Sequence, residues 1–185
     1  TEHNISCVIN YFCDGDERVK EAPKVDFQWW LNIDSDNPPW KNPLDLIELD
    51  KDVIGLPTPI WSYGWNDLDH YKALHFNCYD YLEKKDNYTP HMPQTGLQEV
   101  DGIGFGCFLV HRRVFDLPNM RKAPVMRIWK EDGTVYRGLD LAFSKRVKDA
   151  GGRVWAHYDY PCSHYKEVDL TQFSHVTNKL VNDVV

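Results

Sequence analysis

The sequence predicts an α/β protein in which helices pack on both faces of a mostly parallel, mixed sheet. Two observations lead to this fold class. Strand-like apolar runs alternate with helix-like segments, and the runs end in acidic or glycine-rich turns. The chain has 185 residues, of which 42% are hydrophobic, which is enough for one domain with a substantial core. Since no linker-like composition interrupts it, we expect residues 1–185 to form a single domain.

Each predicted element rests on a local pattern. Runs rich in β-branched and aromatic residues predict strands at 5–12, 27–33, 52–56, 100–110 and 153–158. A proline in the first turn predicts a helix at 43–49, and an amphipathic pattern with a closing glycine pair predicts one at 139–150. A short helix is predicted to begin at Arg112 and to end near Pro118. Weak periodicity predicts a long polar and aromatic loop region at 61–98, with a small hairpin at 74–82. A terminal helix is predicted over 166–185.

Charge and composition exclude several classes of function. The net charge is −7, which argues against a nucleic-acid surface because such surfaces need clustered Lys and Arg. No apolar run is long enough for a membrane-spanning helix, and the first residues do not resemble a signal peptide. The five cysteines are scattered, odd in number and without a C-x-x-C pair. We therefore expect reduced thiols and a cytoplasmic location.

The strongest local signal is the pair Asp34 and Asp36, which directly follows the predicted strand 27–33. Residues two apart on an extended chain point the same way, and α/β sheets bind ligands at the carboxyl ends of their strands. Two neighbouring carboxylates repel each other unless a cation lies beside them, and oxygen ligands suit Mg²⁺ or Mn²⁺. The pair predicts a metal–diphosphate site. The alternative is a solvated turn that ends at Pro38 and Pro39.

Four segments, in this order, resemble the GT-A class of nucleotide-sugar glycosyltransferases. They are the D-x-D stretch 33–39, the strand 49–55, the glycine-rich stretch 100–115, and an ending made of 138–146, 151–155 and 162–164. The resemblance covers about residues 27–166 and is closest to small virus-encoded members, including N-terminal domains of multidomain chlorella-virus glycosyltransferases. The chain departs from the class in having only about twenty residues between its first strand and Asp34. This leaves the nucleoside pocket undefined.

The resemblance implies a GT-A, Rossmann-like α/β/α fold and a metal-dependent glycosyltransferase. It would move a sugar from a nucleotide-diphosphate donor, a UDP-sugar in preference to a GDP-sugar, to a hydroxyl of a glycan or glycoprotein. The cofactor would be Mn²⁺ or Mg²⁺. In this scheme 1–60 forms the nucleotide and metal half, 61–99 the acceptor-side loop region, and 100–185 the donor-sugar and acceptor half. A viral member would act in the host cytoplasm, and further catalytic domains could share the polypeptide.

The same resemblance assigns roles to individual residues. Asp36, Asp34 and His164 match metal-site positions, and an imidazole ligand favours Mn²⁺. Asp140 matches the general base that binds the acceptor hydroxyl, although a helix N-cap is its alternative role. A base implies inversion at the anomeric carbon, and a retaining mechanism is left open. The class has a second acid beside this base, where the present chain has Leu139.

Donor and acceptor contacts are predicted on both sides of these residues. The donor would meet Asp34, Asn10, Asp14, Gly104, Phe105, Gly106 and Arg112. Asp16 is a further nucleoside candidate, and Arg113 and Arg137 are further diphosphate candidates because guanidinium suits phosphate oxygens. The acceptor would meet Asp140 and the aromatic rings of Trp61, Tyr63 and Trp65.

Three other functions compete with sugar transfer. A nucleotide-sugar-forming nucleotidyltransferase needs a basic, glycine-rich loop after its first strand, whereas residues 13–17 here are acidic. A non-catalytic carbohydrate-binding module could use the aromatic loop and would not need the Asp pair. A zinc hydrolase could be built on His157, Cys162 and His164, but their spacing matches no short zinc motif.

Overall fold

The computed structural model describes residues 27–61, 74–92, 95–120 and 125–166. The strands are Trp29–Ile33 (β1), Val53–Gly55 (β2), Pro59–Trp61 (β3), Leu74–Phe76 (β4), Cys78–Leu82 (β5), Asn87–Pro90 (β6), Leu97–Val100 (β7), Gly102–Ile103 (β8), Cys107–His111 (β9), Ile128–Trp129 (β10), Val135–Arg137 (β11) and Val154–His157 (β12). The α-helices are Arg112–Phe115 (α1) and Leu139–Asp149 (α2), and 3-10 helices span Pro43–Leu49 and Glu83–Lys85. The strand predicted at 5–12 and the helix predicted over 166–185 lie outside the described residues, except for Lys166.

The predicted α/β/α sandwich around a mostly parallel sheet is wrong. The largest sheet has five strands in the order β1-β9-β2-β12-β7, and of its pairings only β2 with β12 is parallel. The remaining described strands form three small sheets: β10-β11, β3-β4 and β6-β5-β8. The described helices are too few and too short to cover both faces of a Rossmann-like sheet. The described part of the chain is therefore mainly built from short strands in several sheets.

Much of the disagreement lies in 74–98, which the sequence predicts as loop and hairpin. This stretch instead forms β4, β5, β6 and the start of β7. The two strands of the expected hairpin do not pair with each other, because β4 pairs with β3 while β5 pairs with β6 and β8. Weak periodicity fits this result, since strands of two to five residues carry too few side chains to show a clear alternation.

The core lies on both faces of the five-stranded sheet, as the two-residue period of a strand requires. On β9, Phe108 and Val110 face one cluster of buried side chains, and Cys107 and Leu109 face a second cluster. Helix α2 packs on the first face through Leu139, Phe143 and Val147. The 3-10 helix Pro43–Leu49 packs on the second face through Leu46. Strand β9, an interior strand of the sheet, is buried over Cys107–Val110, which explains its continuous apolar sequence.

Strand direction sets the position of the candidate site. Strands β1 and β2 both run antiparallel to β9, and β12 runs parallel to β2. The carboxyl ends of β1, β2 and β12 therefore meet at one edge of the sheet, where β9 begins. Most of the predicted site residues lie in the segments that follow β1 and β12 and in the segment that precedes β9.

In the described part of the chain, no helix has the length and apolar character that crossing a bilayer requires.

Candidate functional site

A cavity of about 790 Å³ opens at this edge of the sheet. This volume lies within the range of small-molecule sites, roughly 300–1,000 Å³. Its lining combines residues after β1 and β2, residues before β9, the start of α2 and the segment after β12. The lining residues are Asn32, Ile33, Asp34, Ser35, Asp36, Asn37, Thr58, Ile60, Asn77, Gly104, Phe105, Gly106, Asp140, His164 and Lys166. Asp34, Asp36, His164, Asp140 and the Gly104–Gly106 segment, all predicted from the sequence, thus line one cavity.

Asp34 is held at the end of β1 by backbone and side-chain hydrogen bonds. Its N–H donates to the carbonyl of Gly106 at 2.8 Å, which continues the pairing of β1 with β9 beyond the last strand residue. Asn32 donates from Nδ2 to Asp34 Oδ1 at 3.2 Å and to the carbonyl oxygen of Phe105 at 2.9 Å. Partial burial raises the pKa of Asp34, and the Asn32 hydrogen bond and neighbouring cations oppose this rise in part. The carboxylate is thus positioned with little freedom.

Asp36 lies where the segment after β1 meets the segment after β12. The backbone of residues 36–40 pairs with that of 161–165 through Tyr165 N–H to Asp36 O at 2.9 Å and Ser163 N–H to Pro38 O at 3.0 Å. This pairing brings His164 Nε2 to 3.5 Å and Lys166 Nζ to 2.7 Å from Asp36 Oδ2. The Lys166 hydrogen bond is the main cause of a lowered pKa for the Asp36 carboxyl.

The orientation of His164 determines which nitrogen reaches the cavity. Its Nδ1 lies 2.7 Å from the carbonyl oxygen of Pro59. A carbonyl can only accept, so Nδ1 carries the hydrogen, and in the neutral ring Nε2 presents its lone pair toward Asp36. Metal-binding histidines are commonly fixed by such a hydrogen bond from the other ring nitrogen. His164 is therefore oriented as a ligand would be.

The ligand atoms that Asp36 and His164 offer fit a hard divalent cation held jointly by protein and substrate. Asp36 Oδ2 and His164 Nε2 are 3.5 Å apart, close to the ~3 Å expected between neighbouring ligands at bond lengths of about 2.1 Å. Within the described residues, no group of three His, Cys, Asp or Glu side chains is placed to hold a metal ion. Mg²⁺-type sites need only one or two protein ligands when phosphate oxygens and waters complete the shell. The absence of such a group among the described residues gives no support to the predicted set of Asp34, Asp36 and His164 as three protein ligands of one ion, or to a zinc site on His157, Cys162 and His164.

Gly104 and Gly106 line the cavity, but the space beside them is filled by protein. A Cβ on Gly104 would lie 2.9 Å from Asn77 Cβ, and a Cβ on Gly106 would overlap the Asn37 side-chain oxygen. Both asparagines are almost fully buried, at 4% exposure. Asn77 also accepts from Thr58 N–H at 2.9 Å and, through its backbone carbonyl, from Gly104 N–H at 2.7 Å. The glycines thus allow two asparagines to approach the backbone and fix the cavity wall.

Gly106→Ala is expected to destabilise the protein through this overlap with Asn37. Overpacking of a tight site costs about 1–3 kcal/mol. In a protein of this size each kcal/mol lowers Tm by about 2–4 °C. Calorimetry of Gly106→Ala, Asn37→Ala and the double variant tests the cause, because relief of the overlap makes the double variant more stable than the sum of the two single changes predicts. Strict additivity would show that the contact with Asn37 is not responsible.

Asp140 enters the cavity from the first turn of α2. Its Oδ1 accepts from Leu141 N–H at 2.8 Å, and the helix is anchored to β8 because Ser144 Oγ accepts from Ile103 N–H at 3.2 Å. Desolvation raises the pKa of Asp140 above its ordinary value. The Gly138 residue before the helix gives no side-chain cap, so Asp140 supplies the negative charge at this helix end. Asp140 is thus a partly desolvated carboxylate in the first turn that also faces the cavity.

Arg112 does not line the cavity, contrary to its predicted contact with the donor. It begins α1 just after β9, at the opposite edge of the sheet from Gly106. There it lies over the Phe27 ring at 4.9 Å and pairs with Asp116 at 3.4 Å. We therefore exclude Arg112 from the candidate site.

Arg113 and Arg137 are also engaged elsewhere. Arg113 bonds Asp50 Oδ1 through Nη1 and Asp52 Oδ1 through Nε, each at 2.6 Å, which ties α1 to the approach of β2. Arg137 is only 5% exposed and pairs with Asp86 while its guanidinium lies over three tyrosine rings. Both arginines stabilise the fold at a distance from the cavity.

The remaining predictions cannot be placed. Asn10, Asp14, Asp16, Tyr63 and Trp65, and the side chain of Trp61, lie outside the described residues.

Sequence reasoning missed Lys166, Asn77 and Thr58, which also line the cavity. No pattern marks Asn77 or Thr58, since they come together through the hydrogen bonds between these two residues, which are far apart in sequence. Lys166 could have been noticed as the first cation after the Cys162–His164 motif.

Comparison with known proteins adds little to this geometry. No protein-family model and no curated protein sequence matches the chain. Among solved structures, the crystal structure of A197 from STIV is similar with a TM-score of 0.45 and 14% sequence identity. The similarity covers 77% of this chain and 60% of that one, so the chain spans less than two thirds of that protein's length.

Proposed function

We propose that this protein is a metal-dependent glycosyltransferase that moves a sugar from a nucleotide-diphosphate donor, preferably a UDP-sugar, to a hydroxyl of a glycan or glycoprotein. One observation carries the proposal. A carboxylate pair, an oriented imidazole and a partly desolvated carboxylate come from three distant parts of the chain and line the same cavity. A solvated Asp turn does not require this convergence, and neither does a sugar-binding surface.

The proposed roles follow from the contacts of each group. Asp36 and His164 would hold Mn²⁺ or Mg²⁺ together with the donor diphosphate, and Asp34 would orient the donor beside them. When bound, the metal supplies a Lewis acid that neutralises charge on the departing diphosphate. Asp140 would accept the proton of the acceptor hydroxyl, and its raised pKa makes it a better base than an exposed carboxylate.

The proposed cell compartment rests on cysteine chemistry. Among the described residues, Cys78, Cys107 and Cys162 are buried and free, and unpaired cysteines are usual in a reducing compartment. We therefore place the activity in the cytoplasm, with a nucleotide sugar as the soluble substrate.

Thermal unfolding with a panel of nucleotides tests the function directly. The protein is scanned with UDP, GDP, UDP-sugars and GDP-sugars, each with and without Mn²⁺. A ligand at 100 times its Kd adds about 2.7 kcal/mol to the free energy of unfolding. This corresponds to a Tm rise of roughly 5–10 °C. We expect this rise with one base and only when metal is present.

Two controls separate the competing functions. Mn²⁺ alone and free nucleoside are scanned in parallel, because neither should reproduce the full shift. Oligosaccharides and nucleoside triphosphates are scanned as the ligands of the competing functions. A shift with oligosaccharides but with no nucleotide would overturn the transferase and favour a carbohydrate-binding module. A shift with nucleoside triphosphates alone would favour a nucleotidyltransferase.

A further inference from the structure

Lys166 occupies an unusual place in the cavity. Its ammonium lies 2.7 Å from Asp36 Oδ2, the same oxygen that His164 Nε2 approaches at 3.5 Å. This oxygen is the one that a metal ligated by Asp36 and His164 would use. The lysine and a divalent cation would therefore compete for one carboxylate oxygen.

The surroundings explain why a cation is held there. Asp34 and Asp36 both line the cavity, so two carboxyl groups of like charge lie close together there. The Lys166 ammonium lies 2.7 Å from Asp36 Oδ2 and offsets this negative charge. The Lys166 side chain is 60% exposed, so most of its stem is free to move. The ammonium is held mainly by charge and little by packing.

We propose that Lys166 is an exchangeable cation, which balances the Asp pair before metal binds and binds a diphosphate oxygen of the donor after metal displaces it. This inference rests on the proposed function and adds a residue that is not otherwise assigned. A divalent ion and an ammonium on one oxygen repel each other strongly, so both cannot stay. The lysine backbone remains tethered because Tyr165 N–H donates to Asp36 O at 2.9 Å.

The displaced ammonium has a clear next partner within reach. A donor diphosphate would bring new anionic oxygens to the cavity, and a lysine ammonium offers three donors on a flexible stem. Among the cavity-lining residues that the structure describes, the cations are Lys166 and, when protonated, His164. Lys166 would thus bind the donor, the role that the sequence predicted for Arg112.

The proposal predicts that Lys166→Met changes the affinities for Mn²⁺ and for UDP in opposite directions. Lys166→Met removes the competing cation, so Mn²⁺ alone should bind more tightly, by about two- to fivefold for a partly exposed ion pair. The same change removes a charge-assisted hydrogen bond to the donor, so UDP in saturating Mn²⁺ should bind about tenfold more weakly. A purely structural role would weaken both or change neither.

The experiment measures both affinities on the intact chain. Mn²⁺ binding is followed by the electron paramagnetic resonance signal of the free ion, and UDP binding by calorimetry in saturating Mn²⁺. Lys41→Met is the matched control, since Lys41 lies over the Tyr160 ring at 4.9 Å and not in the cavity. Lys166→Arg keeps the charge and should retain most of the competition with Mn²⁺. Unfolding scans without ligand confirm that each variant is folded.

The outcomes distinguish this inference from the proposed function. If wild type binds Mn²⁺ and UDP but Lys166→Met shifts both in the same direction or neither, the exchange is refuted and the transferase stands. If wild type binds no nucleotide in any metal, the proposed function fails irrespective of Lys166. Opposite shifts in Lys166→Met, absent in Lys41→Met, would establish the exchange.

Discussion

Replacing Asp36 with asparagine is expected to remove metal-dependent nucleotide binding and lower kcat/KM for sugar transfer by about 10³-fold, since metal ions contribute several kcal/mol to such transition states. The amide keeps the shape of the carboxylate but loses the charge that holds both Lys166 and a divalent ion. Loss of activity should therefore come from the metal site and not from misfolding. Titration with Mn²⁺ and UDP, together with transfer assays, measures both effects.

The fold of Asp36→Asn should be nearly intact. The Asp36 carbonyl still accepts from Tyr165 N–H, and the amide oxygen can still accept from Asn37. The pKa of Asp36 lies below its ordinary value, so its contribution to stability is present at neutral pH and is lost as pH falls through the folded-state pKa. This contribution is small because the ion pair is partly exposed.

Asp149→Asn is the control that should retain transfer, because Asp149 is an exposed carboxylate paired with Lys145. Undiminished metal-dependent UDP binding by Asp36→Asn would show that the metal is not held there.

The location of the Asp pair could be predicted because it depends on local features. An apolar run that ends in two acids two residues apart defines a strand end, and strand ends that run the same way meet at one edge. Strands β1, β2 and β12 do run the same way, although the sheet is mixed. The convergence of Asp34, Asp36 and His164 on one cavity depends on this shared direction and does not require a parallel sheet.

The fold class could not be predicted because strand pairing is decided by long-range contacts. The stretch 100–110 reads as one strand, yet Val100 ends β7, and Gly104–Gly106 separate β8 from β9, which join different sheets. Nothing in the local sequence shows that β9 lies between β1 and β2 and runs antiparallel to both. An apolar strand buried on both faces is typical of parallel sheets, which is why the pattern was misleading.

The misplacement of Arg112 follows from the same error. If β9 ran parallel to β1, its carboxyl end and Arg112 would lie beside Asp34. In the antiparallel sheet the beginning of β9 lies there instead, and a five-residue strand separates the two ends by about 17 Å. Gly106 and Arg112 therefore cannot both line the cavity. One wrong strand direction accounts for the loss of a predicted phosphate ligand.

Asp140→Asn is expected to lower transfer by about 10²–10⁴-fold while raising thermal stability. The loss follows from removal of a general base, and donor binding should be little changed because Asp140 makes no described contact with Asp36 or His164. The gain follows from burial, since the ionised carboxylate is disfavoured in the folded state. The neutral amide avoids this cost and can still accept from Leu141 N–H.

The pH dependence of stability separates this explanation from a general effect of mutation. A raised folded-state pKa means that the contribution of Asp140 to the free energy of unfolding falls as pH rises from the ordinary Asp range, about 4, through the raised value, and then stays level. The advantage of Asp140→Asn should therefore be absent in acid, grow across that window and remain constant at neutral pH. Urea unfolding at a series of pH values measures this difference in stability, with Asp149→Asn on the same helix as the control that should show no such gain.

If Asp140→Asn retains more than about a tenth of wild-type transfer, the base lies elsewhere. If it loses stability at neutral pH, the carboxylate is compensated in the fold, and its raised pKa cannot be the source of its basicity.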